Sequence, residues 1–70
     1  MRRDASELKV YRLGQIKREI ARQFPKPVDY PKLCLWIEVN IGLTNERAKE
    51  YVELVCAANG WILNDGAITA

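Results

Sequence analysis

The chain has no histidine, and among its 70 residues only two cysteines, three prolines, one phenylalanine and one methionine. Each scarcity removes a class of chemistry. Without histidine there is no Ser/His or Cys/His nucleophile pair and no histidine-containing zinc site. Two cysteines are too few for a disulfide scaffold. Both lie in apolar runs, Leu33-Cys34-Leu35 and Val55-Cys56-Ala57, which reads as two small buried thiols in a reduced, intracellular setting. The four glycines, Gly14, Gly42, Gly60 and Gly66, are scattered and build neither a G-x-G-x-x-G nor a G-x-x-x-x-G-K-[ST] phosphate loop. No stretch approaches the roughly 18 apolar residues of a membrane span, and no apolar segment of the secretory kind follows Arg2-Arg3. The expectation is a soluble, cytoplasmic protein with no membrane contact, cofactor, metal, small-molecule substrate or catalytic site.

What is present is ordinary globular composition, 49% hydrophobic and 29% charged. Seventy residues allow one domain. A chain this short buries only about 60% of its unfolded surface, so marginal stability and pairing with a second copy are both expected. Residues 1–14 read as a basic N-terminal extension running into the first helix, and residues 15–70 as the folded domain.

Punctuation residues mark the elements. Gln15 to Phe24 carries Ile16, Ile20, Ala21 and Phe24 at helical spacing, with Pro25 and Pro27 stopping it. Upstream, Val10 and Leu13 project onto the same stripe, which favours one helix from about Ala5 capped by Asp4 or Ser6. Gly14 and the Leu8-Val10 alternation leave a strand and a break open for residues 5–14. Lys26 to Tyr30 reads as a short extended piece, then Asp29 as an N-cap with Pro31 in the first turn of a second helix over Lys32 to Ile41. Gly42 ends that helix in the left-handed position. Thr44-Asn45 caps a third helix to Ala58, with Ala48, Tyr51, Val52 and Val55 as its apolar stripe. Asn59-Gly60 closes it, and Asn64-Asp65-Gly66 between two apolar runs signals a hairpin.

That order, with the Val28-Asp29-Tyr30 entry, Gly42-Leu43-Thr44 at a turn between helices, the Ala48/Tyr51/Val52/Val55 stripe and Asn59-Gly60-Trp61-Ile62 leading into a hairpin, resembles the winged-helix variant of the helix-turn-helix family, most closely its small archaeal-type domains. The resemblance covers Ile16 to Ile68 and rests on packing and turn residues. It implies an α+β, mostly α fold: three helices with a short C-terminal β-hairpin wing. It also implies that the third helix enters the major groove of double-stranded DNA and that the wing touches the backbone. Carried over residue by residue, it nominates Thr44, Asn45, Arg47 and Lys49 on the third helix and Asn64 and Asp65 at the wing tip.

The charges depart from that pattern. The outward face of the third helix collects Glu46, Lys49, Glu50 and Glu53, with Ala57 beyond them, and the wing tip has no base. Residues 1–27 hold eight bases against three acids, a net of +5, and residues 28–70 three bases against six acids, a net of −3. Any phosphate contact therefore draws on the first helix, where Arg18 and Arg22 share a side with Tyr11. The second helix is apolar all round: Leu33, Ile37 and Ile41 serve one face, and Leu35, Trp36 and Val39 another. The second face requires cover, either from residues 5–14 or from a partner surface anchored by Leu35, Trp36 and Val39. Two functions follow: a DNA-binding regulator or replication accessory acting as a homodimer, or a protein-interaction module inside a nucleic-acid machine.

Overall fold

The computed structural model describes residues 5–70, with side chains from Glu7 onward. Its elements run α1 (Ala5–Gln23), β1 (Val28–Asp29), α2 (Tyr30–Asn40), α3 (Asn45–Asn59), β2 (Ile62–Asn64) and β3 (Ala67–Thr69). The three strands form an antiparallel sheet in the order β1-β3-β2. This is the α+β, mostly helical layout of a winged helix. No helix among the described residues is long and apolar enough to cross a membrane.

Local chemistry explains the boundaries. The Asp29 carboxylate accepts the Lys32 backbone N–H at 3.0 Å, and Pro31 sits in the first turn of α2, where a missing N–H goes unnoticed. The turn that follows α2 needs a left-handed residue, and Gly42 supplies it at φ 83°. The Thr44 side chain accepts from the Arg47 N–H at 3.3 Å and so starts α3. At the wing, Asp65 (φ 51°) and Gly66 (φ 74°) make a two-residue turn with both φ positive, the geometry whose twist matches an antiparallel pair.

The core is one cluster drawn from all three helices and the sheet. Ile16 and Ile20 of α1, Val28 of β1, Leu33, Cys34 and Ile37 of α2, Ala48, Val52 and Val55 of α3, and Ile68 of β3 are buried. Ile68 lies in the central strand, opposite Val28 on one side and Leu63 on the other. The Tyr30 N–H donates to the Gly66 carbonyl at 2.9 Å, which ties the start of α2 to the wing turn. Phe24, just past α1, meets Trp61 edge to face with ring centroids 5.0 Å apart. Both cysteines are free and buried, and burial pushes both thiols above their ordinary range, so they stay protonated at neutral pH.

Two expectations need correction. Residues 5–14 are helical, as favoured, but Val10 is 69% exposed and is not part of the buried stripe, which begins at the half-buried Leu13. The helix keeps its azimuth, but among the described residues the packed part of its stripe starts at Leu13, and Val10 lies outside it. Ser6 lies inside α1 and not at its cap, whereas Asp4 falls outside the described residues. The Asp29 cap and Pro31 in the first turn stand as expected, and with that cap the helix takes in Tyr30 and Pro31 as well and ends at Asn40.

Candidate nucleic-acid interface

The N-terminal end of α3 gathers four of the nominated residues, all exposed: Thr44, Asn45, Arg47 and Lys49. Their side chains are not equally available. The Thr44 hydroxyl is spent on the cap. The Asn45 amide donates to the Glu38 carboxylate of α2 at 3.2 Å, which braces the two helices against each other. Arg47 reaches Glu50 at 3.4 Å, with both side chains mostly exposed. A pair of that kind contributes roughly 0.3–0.5 kcal/mol, so the guanidinium leaves it readily for a phosphate. Lys49 is two residues on, about 200° around the helix, so Arg47 and Lys49 flank the end of α3 on opposite sides. Lys49 edges a shallow cleft with Tyr30, Pro31, Leu35 and Asn45. Burial, and Cys34 beside it, push the Tyr30 phenol above its ordinary range, so it is a neutral hydrogen-bonding group there.

α3 is acidic from its first turn onward, since Glu46 lies between Asn45 and Arg47. Glu46, Glu50 and Glu53 are all exposed, with Leu54 and Ala57 among them. The wing tip, Asn64-Asp65-Gly66, is exposed and carries an acid but no base. A long approach of α3 along a groove would bring three carboxylates toward phosphate.

The second cationic group lies on α1. Arg18 and Arg22 are exposed and edge a cleft with Gln15, Glu19 and Trp36. Arg22 forks onto Glu19, Nε to Oε1 at 3.2 Å and Nη2 to Oε2 at 2.6 Å, and Gln23 adds a third bond at 3.1 Å. The hydrogen bonds from Arg22 hold the Glu19 carboxyl below its ordinary value. Arg22 is thus partly neutralised, and Arg18 is the better phosphate ligand of the two. Lys32 of α2 edges an adjoining cleft that shares Glu19, Arg22 and Trp36 with this one. The sequence reading missed Lys32, although its spacing of four residues before Trp36 places both on one face of a helix.

The two cationic groups do not merge. Leu35 edges the cleft toward α3 and Trp36 the cleft toward α1, so α2 stands between them. Leu35 is 59% exposed and Val39 81%, whereas Trp36 is half-buried. The proposed cover of this face by residues 5–14 is corrected: those residues continue α1, and nothing among the described residues shields Leu35 or Val39.

Comparison with protein-family models, with curated proteins and with solved structures found no match to this chain.

Proposed function

We propose that this chain is a small winged-helix protein that binds double-stranded DNA, as a transcription regulator or replication accessory. The observation that carries the reading is the exposed N-terminal end of α3, which sits at the free corner of a helix-turn-helix with Arg47 and Lys49 on its two flanks. Helix N-termini attract phosphate through their unpaired N–H groups and dipole, and here two cations reinforce that pull. Glu46 in the first turn, with Glu50 and Glu53 after it, limits the contact to the tip of the helix, so α3 meets the duplex end-on. Arg18 of α1 adds a backbone contact on the far side of α2.

Fluorescence anisotropy of a labelled random duplex, from low to physiological salt, tests this. Arg47→Ala with Lys49→Ala should weaken binding at least tenfold, and Arg18→Ala severalfold. No binding of the wild-type chain at micromolar concentration and low salt would rule the reading out. If only the Arg18 change has an effect, the docking mode is wrong.

A second reading has its own support. The acidic face of α3, the wing tip without a base, and the exposed Leu35 and Val39 suit a protein-interaction module in a nucleic-acid-processing complex.

A further inference from the structure

The first turns of α1 stand clear of the body. Residues 7–11 are exposed in succession, and three of them are apolar in body: Leu8 at 37%, Val10 at 69% and Tyr11 at 51%. Short helical segments owe most of their stability in water to tertiary packing, and none of residues 7–11 is buried among the described residues. A groove continues from the overhang along the seam of α1 and α3, edged by Leu13, Gly14 and Lys17 on one side and Leu54 and Ala58 on the other. At Leu54, itself 44% exposed, the groove opens into a hollow bounded by Glu50, Glu53 and Ala57.

Charge says what fits there. The hollow on α3 is acidic, and the overhang and groove edge of α1 carry Lys9, Arg12 and Lys17 against the single acid Glu7. Each chain therefore owns both halves of a complementary pair. We propose that the α1–α3 groove is the docking surface for a second copy of this chain. The two copies are related by a two-fold axis, with the α1 overhang of each laid against α3 of the other. Val10 and Leu54 fill the apolar centre, and Lys9 and Lys17 of one copy face Glu50 and Glu53 of its partner. Apolar burial supplies the affinity and the charges set the register. Gly14 is consistent with this, because a Cβ there would meet only the tip of Arg18, at 3.7 Å. The chain's own packing leaves that spot open to a neighbouring helix. The arrangement also accounts for acids on the outward face of α3: that face meets a partner and not phosphate. It is separate from the α2 face at Leu35 and Val39, and it stands whether or not the chain binds DNA.

Sedimentation equilibrium without nucleic acid tests it. The wild-type chain should run at twice its 8.0 kDa mass at micromolar concentration. Glu50→Lys/Glu53→Lys and, separately, Lys9→Glu/Lys17→Glu should each raise the dissociation constant at least tenfold, with circular dichroism showing both still folded. Mixing the two variants should restore a mixed dimer, because the swapped charges again oppose. A wild-type monomer at low salt overturns the proposal, as do charge variants that remain dimeric. Dissociation by Leu35→Ser/Val39→Ser in place of the groove variants moves the interface to α2 and overturns it as well.

Discussion

Two glycines show how a single residue type serves opposite ends at different backbone angles. Gly60 closes α3 at φ 70°, a conformation that costs any side-chain-bearing residue about 1 kcal/mol, yet a Cβ there would meet nothing within 4 Å. Gly14 sits in mid-helix, where glycine is the poorer choice and alanine better by roughly 0.5–1 kcal/mol. Urea denaturation should therefore find Gly60→Ala destabilising and Gly14→Ala stabilising by similar amounts, provided both are made in the Glu50→Lys/Glu53→Lys background so that self-association does not enter. A loss of stability at Gly14→Ala there would mean that the chain's own packing needs that glycine.

Among the elements, β3 is the one on which two others depend. Its Ile68 is fully buried and pairs across to both Val28 and Leu63, so the entry strand and the wing share one anchor. Ile68→Ala should cost roughly 2–5 kcal/mol, the usual range for opening a cavity at such a site. Hydrogen exchange should speed up at β1 and β2 together. Accelerated exchange in β2 alone would show that β1 is held by α2 and not by the sheet. The sequence announced this part of the fold through its caps and turns: Asp29 before Pro31, Gly42, Thr44, Gly60 and Asp65-Gly66 each act within four residues, and local rules suffice for them. The reach of α1 beyond the body was not legible, because helical spacing puts Val10 on the stripe of Ile16 without saying where the partner helix ends. At the site, Thr44, Asn45, Arg47 and Lys49 came from the family resemblance, and all four are exposed. That Asn45 braces Glu38, and that Trp36 parts from Leu35 to face α1, depends on how α2 is seated between its neighbours and has no local signature.

On the scale of the whole molecule, charge separates two tasks. Two of the acids of α3, Glu50 and Glu53, sit past its first turn while Glu46 lies within it, and the cations proposed to meet a duplex are Arg47 and Lys49 at its start and Arg18 across α2. Three neutralised phosphates give a slope of log affinity against log salt of about −2.7, since each contributes about −0.9. Two protomers joined through the α1–α3 groove leave these ends uncovered and bring two such sets to one duplex, which raises the slope to about −5. Leu54→Asn separates the cases, because it removes an apolar anchor from the groove without changing charge. Anisotropy titrations on a duplex of about two helical turns should then show the slope falling by half in the variant, with weaker binding at every salt concentration. A slope unchanged by Leu54→Asn, in a variant that sedimentation shows to be monomeric, would mean that one protomer makes all the phosphate contacts. The paired geometry would then have no part in DNA binding, and the acidic face of α3 would serve self-association alone.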